Sequence, residues 1–204
     1  MRVQRLVVGI SGASGTVYGV RLLEALRDSS VETHLVMSKA AKRVAELETD
    51  YTSHYIESLA DVVYRNSDIG AAIASGSFLT LGMVIAPCSV KSLSAITTSY
   101  NDTLLIRAAD VALKEGRRLV LVVRETPLHL GHLRLLAQAT ENGAVILPPM
   151  PSFYHHPRTI DDLVDQTVGK VLDQFRIEHD LFRRWQGGHA LCTAEEAASR
   201  LGGG

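Results

Sequence analysis

The sequence predicts a three-layer α/β fold, a parallel sheet with helices on both faces. Three observations carry this. Short runs that are apolar throughout recur along the chain, as strands buried on both sides require. Stretches with helical spacing separate them, the alternation that builds a parallel sheet. Each run also stops at a turn of glycine, proline, serine or charge.

The first run, Leu6-Val7-Val8-Gly9-Ile10, ends in Ser11-Gly12-Ala13-Ser14-Gly15; Gly19, Leu22, Leu23 and Leu26 then fall at i, i+3, i+4 and i+7. That reads as strand, tight glycine turn, helix. Val31, Thr33, Leu35 and Met37 alternate as a second strand, and Ser38 opens a helical stretch to Leu47. Residues 49–66 are polar and show no clear period. Met83–Ala86 forms a third strand stopped by Pro87, and Leu119–Val123 a fourth stopped at Arg124-Glu125-Thr126-Pro127. Ala144–Leu147 forms a fifth, stopped by Pro148-Pro149. Helical patterns cover 89–98, 103–115 and 129–142. A last helix starts at Thr159, an N-cap followed by Asp161 and Asp162, with an apolar stripe from Ile160 to Phe175. Residues 1–187 are expected to form one domain, and the small, glycine-ended stretch 188–204 a loosely held tail or expression remnant.

Composition narrows the function. The 204 residues are 46% apolar and 21% charged with net charge −1, ordinary for a soluble globular protein and poorly suited to nucleic acid. No apolar run reaches the ~20 residues of a membrane span. Two cysteines, Cys88 and Cys192, make no disulfide framework, so a reduced, cytoplasmic setting is expected. There is no His-Glu-x-x-His and no zinc-spaced cysteine pair, so no metal site is expected. A Gly-x-Ser-x-Gly elbow is also missing.

The glycine turn suits a phosphate, since a helix N-terminus offers unpaired N–H groups and partial positive charge. It fits neither common nucleotide motif: Ser11 stands at the middle glycine of G-x-G-x-x-G, and Gly15-Thr16-Val17 lacks the P-loop lysine. Simple closure of a βα unit is the alternative. Ser14, Ser38, Ser89 and Ser92 all lie at strand-to-helix junctions, where each could be a cap or a ligand to a polar group. Arg124, directly after a buried strand, needs a counter-ion, from Glu125 or from an anionic ligand. Arg107, Asp110 and Lys114 share one helix face; the cations could flank a site, or Asp110 could bridge both. Lys170 edges the last apolar stripe, Glu48 ends the second helical stretch, and Tyr154 sits between Phe153 and His155-His156. Gly70–Phe78 is small and glycine-bearing, fit either for a flat ligand or for close packing.

Taken together, GISGASGTVYG (9–19), SKAAKRVAELET (38–49), SDIGAAIASGSF (67–78), MVIAPCSVKSLSAI (83–96), RAADVALKEGRRLVLVVRETPLH (107–129) and GAVILPPMPSFYHHP (143–157) resemble the UbiX family of flavin prenyltransferases, from residue 3 to 185. The resemblance is strongest to bacterial paralogues once labelled phenylacrylic or aromatic acid decarboxylases. It implies a Rossmann-like (flavodoxin-like) fold and a homo-oligomer, typically a dodecamer. It also implies transfer of a dimethylallyl group from dimethylallyl phosphate to reduced FMN, at N5 and then C6. On the same resemblance, the product would serve a partner UbiD-type decarboxylase. By matching positions, Gly12, Ala13, Ser14, Ser38, Ser89, Val90, Lys91, Ser92 and Arg124 would hold FMN. Tyr154 and Lys170 would bind the prenyl phosphate, Arg107 and Lys114 would add positive charge, and Glu48, Glu125 and Ser14 would handle protons. Gly116 departs from the arginine of many relatives. The competing expectations are an FMN-dependent decarboxylase acting directly on an aromatic acid, with His54 its weak histidine candidate, and a flavin carrier.

Overall fold

A computed structural model describes residues 3–185 and Gly187. Six strands form one sheet: β1 (Gln4–Ile10), β2 (Val31–Met37), β3 (Val62–Arg65), β4 (Gly82–Cys88), β5 (Arg118–Val123) and β6 (Val145–Ile146). All pairings are parallel, in the order β3-β2-β1-β4-β5-β6. The helices are α1 (Thr16–Arg27), α2 (Lys39–Glu48), α3 (Ser53–Ser58), α4 (Val90–Thr97), α5 (Leu104–Lys114), α6 (Leu130–Glu141) and α7 (Ile160–Gln174).

Side chains alternate across each strand, so the sheet divides the core into two layers. Leu6, Val8, Ile10, Val84, Ala86, Val120 and Val122 pack against α1, α2, α3 and α7. On the other face, Val7, Met83, Ile85, Leu119, Leu121 and Val123 pack against α4, α5 and α6. Thr159 caps α7 with a full capping box, its hydroxyl accepting from the Asp162 amide and the Asp162 carboxylate accepting from the Thr159 amide.

The five expected strands are all present. The sixth, β3, lies in the stretch without a period. It is a four-residue edge strand, half of it exposed, so it lacks the apolar run that marks its neighbours. β6, at the other edge, is shorter than expected. Gly70–Phe78 is a folded segment between β3 and β4. It makes a 3₁₀ turn at Ala72–Ala74, buries Ile73, and is held by Arg117, which donates to the Gly76 and Phe78 carbonyls. Gly116, the departure from the family pattern, has φ +63° just beyond α5, a left-handed C-terminal cap suited to glycine. Cys88 is buried, and burial pushes its thiol up to about 12, away from reactivity. Cys192 and the stretch 188–204 lie outside the described residues. Among the described residues no helix is long and apolar enough to cross a membrane, and no group of three His, Cys, Asp or Glu could hold a metal.

Candidate active site

The strand order reverses between β1 and β4, and in open parallel sheets ligands occupy the crevice beyond the strand ends at that reversal. Ser11, directly after β1, stitches the two ends together. It is fully buried; its amide and hydroxyl donate to the Pro87 carbonyl at 3.2 and 2.9 Å, and its Oγ accepts from the Ser89 amide at 2.7 Å. The serine that breaks the dinucleotide motif is therefore a structural tie.

Beside this tie lies a cavity of about 340 Å³, within the usual range for small-ligand sites. The N-termini of α2, α4 and α5 reach it through Ser38, Ser89 and Thr103, with Gly12, Lys91 and Ser92 also in its wall. Three helix starts concentrate N–H groups and partial positive charge there, a setting for an anionic group. Ser38 and Ser89 are N-caps: Ser38 Oγ accepts from the Ala41 amide at 3.0 Å, and Ser89 Oγ accepts from the Ser92 amide at 3.3 Å. Ser38 keeps its hydroxyl proton for a ligand; Ser89 donates its own to Ser92 Oγ at 3.2 Å, which leaves the Ser92 hydroxyl to donate onward. Lys91 is exposed and pairs loosely with Asp102 at 3.4 Å, a contact a ligand could replace at little cost. Val90 opens α4 behind Ser89, and Ala13 is buried in the turn.

Gly12 is required by space. A Cβ there would sit 2.4 Å from the Ala40 Cβ, so the turn and α2 could not both keep their places. Gly12→Ala is expected to lower stability by about 1–3 kcal/mol and to weaken flavin binding. A thermal melt and a fluorescence titration with FMN check this.

Ser14 is not a cap. The N-cap of α1 is Gly15, with φ +101° and no side-chain cap. The cap comes instead from Glu48, at the end of α2, whose Oε2 accepts from the Gly15 amide at 2.8 Å. Partial desolvation opposes ionisation of Glu48. The Ser14 hydroxyl, the Gly15 and Thr16 amides and the charge of Arg124 outweigh it and hold the carboxyl below its usual range. The anion at this helix start is thus the chain's own carboxylate, so the glycine turn does not leave the Gly15 amide free for a phosphate. Thr16 Oγ1, at the same turn, is buried with no partner among the described residues. Arg124 is exposed, and its amide donates to the Cys88 carbonyl at 3.1 Å, tying it to the end of β4. Its charge also reaches Tyr18, whose phenol is raised by burial against that influence. Glu125 follows it, exposed, and accepts from the Thr126 amide at 3.0 Å. Ser14, Glu48, Arg124 and Tyr18 therefore form one group.

The remaining candidates divide between the two faces. Tyr154 is 40% exposed and meets the Trp185 ring edge-on at 6.1 Å. Lys170 Nζ lies 3.4 Å from Asp173 on α7. Arg107 and Lys114 are on α5, across the sheet. Arg107 donates to Asp110 at 3.0 Å and to the Ala74 carbonyl at 3.2 Å. Asp110 does not bridge the two cations: its other partners are Ser99 and Asn101, both at 2.9 Å, and Lys114 pairs with Glu115. His54 is exposed on α3.

Sequence reasoning missed Tyr18, Asn66, Asp173 and Trp185. Asn66 caps α5 from outside, its carbonyl accepting from the Leu104 amide and its Oδ1 from the Leu105 amide, both at 2.9 Å. Its signal was its place after β3, a strand the sequence did not announce.

Comparison with known proteins adds to this geometry. The family model described as Flavoprotein matches residues 1–172. The flavin prenyltransferase UbiX of Escherichia coli (strain K12) is 64% identical over 187 residues, covering 90% of this chain and 99% of that protein. The crystal structure of AnUbiX in complex with FMN and dimethylallyl pyrophosphate has a TM-score of 0.90 at 49% identity, covering 92% of this chain and 100% of that one. A dodecameric FMN-dependent UbiX-like decarboxylase from Escherichia coli O157:H7 has a TM-score of 0.88 at 52% identity, covering 90% and 100%.

Proposed function

Because the chain belongs to the flavoprotein family, and within it to the UbiX flavin prenyltransferases, we propose that its switch-point cavity receives FMN and that it moves a dimethylallyl group from dimethylallyl phosphate to the reduced flavin. One observation carries the reading beyond family membership. The donor-rich cavity where three helices start lies on the same strand-end rim as the Ser14–Glu48–Arg124 group. The close-fitting Gly12 and the unpartnered Thr16 hydroxyl at the turn are what a bound polar cofactor would complete.

When bound, reduced FMN supplies the nucleophilic positions, N5 first and C6 second. Gly12, Ala13 and Ser14 would line its approach, Ser38, Ser89, Val90, Lys91 and Ser92 would hold its polar arm, and Arg124 would offset its negative charge. Glu48, ionised at neutral pH, accepts a proton through the Ser14 hydroxyl, and Glu125 is the second carboxylate in reach of Arg124's side of the rim. Tyr154 and Lys170 bind the donor phosphate. Cations there stabilise the charge that grows on the leaving phosphate. Arg107 and Lys114 serve the same charge from a neighbouring copy, since within one chain the sheet separates them from Lys170. A homododecamer, a cytoplasmic setting and delivery of the product to a UbiD-type decarboxylase complete the proposal.

Anaerobic incubation with reduced FMN and dimethylallyl phosphate, followed by mass analysis of the flavin, tests it. A gain of one prenyl group is the expected result. Unmodified flavin, under conditions where a known relative succeeds, overturns it. Decarboxylation of a cinnamic-type acid by this protein alone would favour direct decarboxylase chemistry.

A further inference from the structure

Asp173, on the last turn of α7, gathers an unusual set of partners. Its Oδ1 lies 2.7 Å from Arg184 Nη2 and 3.2 Å from His179 Nε2; its Oδ2 lies 3.1 Å from Arg184 Nη1 and 3.4 Å from Lys170 Nζ. Arg184 grips the carboxylate with both arms of its fork, the strongest geometry for such a pair. These contacts pull the carboxyl down to about 2, Arg184 most, then His179 and Lys170, with burial working the other way. Asp173 is therefore ionised throughout the working pH range.

The contacts also fasten a segment. After α7 the chain folds back along the helix, with Ile177 and Leu181 packed on the core. It runs so close that a Cβ on Gly169 would lie 2.5 Å from Phe182 and 2.6 Å from His179. Arg184 stacks over Phe182 at 5.4 Å, and Trp185 then reaches Tyr154. A cavity of about 150 Å³ opens there, lined by Tyr154, His156, Arg183, Arg184 and Trp185. Lys170 and Arg184 face Asp173, Asp180 also acts on Arg184, and Arg183 in the cavity wall adds a further cation. Two of Arg184's five N–H donors serve Asp173, and Nη2 also meets His179 Nε2 at 3.1 Å, which leaves at least two for a ligand.

We propose that Asp173 is a positioning residue for the prenyl phosphate. It fixes Arg184 beside Tyr154 and holds Lys170 to the same carboxylate, and Arg184 is thereby a phosphate-binding residue of this site. Nothing else in the cluster ties both cations to one point. The proposal rests on the prenyltransferase reading.

The test is steady-state kinetics of the full chain with reduced FMN and dimethylallyl phosphate, for wild type, Asp173→Asn, Asp173→Glu and Arg184→Ala. Asp173→Asn and Arg184→Ala are each expected to raise the KM for dimethylallyl phosphate about tenfold, with the KM for FMN unchanged. Asp173→Glu recovers part of the loss, and the double variant Asp173→Asn/Arg184→Ala is no worse than the poorer single one. Arg184→Ala, on an exposed side chain, keeps the test available if Asp173→Asn does not fold. Variants with the wild-type KM for dimethylallyl phosphate overturn the proposal, as does an equal rise in both KM values with a lowered melt. A wild type that leaves the flavin unmodified overturns the prenyltransferase reading itself, and this one with it.

Discussion

Glu48→Gln is expected to slow prenyl transfer at least about 100-fold while leaving FMN bound, the usual scale for losing a positioned acid–base group. The amide keeps an oxygen that can accept from the Gly15 amide, so α1 keeps most of its cap. What it loses is the negative charge that Ser14, the Gly15 and Thr16 amides and Arg124 stabilise. Single-turnover formation of prenylated flavin, beside a flavin titration, separates the two effects. An unchanged rate would remove Glu48 from the proton pathway. The pH dependence has a definite sign. Glu48 has a lower pKa folded than unfolded, so its stabilising effect is full above the ordinary carboxylate range and is lost as pH falls through the lowered value. Glu48→Gln should therefore flatten the acid side of the stability curve.

Lys170→Ala and Arg107→Ala are each expected to be nearly inactive, and mixed oligomers of the two to recover activity. Lys170 lies on α7 and Arg107 on α5, with the sheet between them. If one phosphate needs both, two copies must supply them. In oligomers assembled at random from equal amounts, about a quarter of sites would draw both intact residues. Co-expression with two affinity tags and assay of the doubly purified species measures this. Activity no greater than that of the separate variants would place all the cations within a single chain.

Legibility in the sequence followed the range of each interaction. Buried parallel strands were readable because each carries its signal in consecutive residues, as in Val84, Ile85 and Ala86. The Thr159 cap was readable because its partner is three residues away. β3 was not, since an edge strand with Tyr64 and Arg65 exposes alternate positions and needs no apolar run. α3 is only six residues, too short to establish a period. The role of Glu48 as cap to α1 was invisible because 33 residues separate the partners. The family resemblance singled out Ser14, Glu48 and Arg124, but only the fold displays why they belong together.

The tie made by Ser11 bears on how the site comes into being. Its hydroxyl bonds span 76 and 78 positions of chain, joining the first strand to the fourth. Such distant pairing is among the slower events of folding. The crevice acquires its width only once β4 has docked beside β1, after about the first two-fifths of the chain is in place. A fragment ending before Gly82 would carry the complete glycine signature and still be unable to hold a flavin. The signature is local, but the capacity to bind appears only when distant parts of the chain have met.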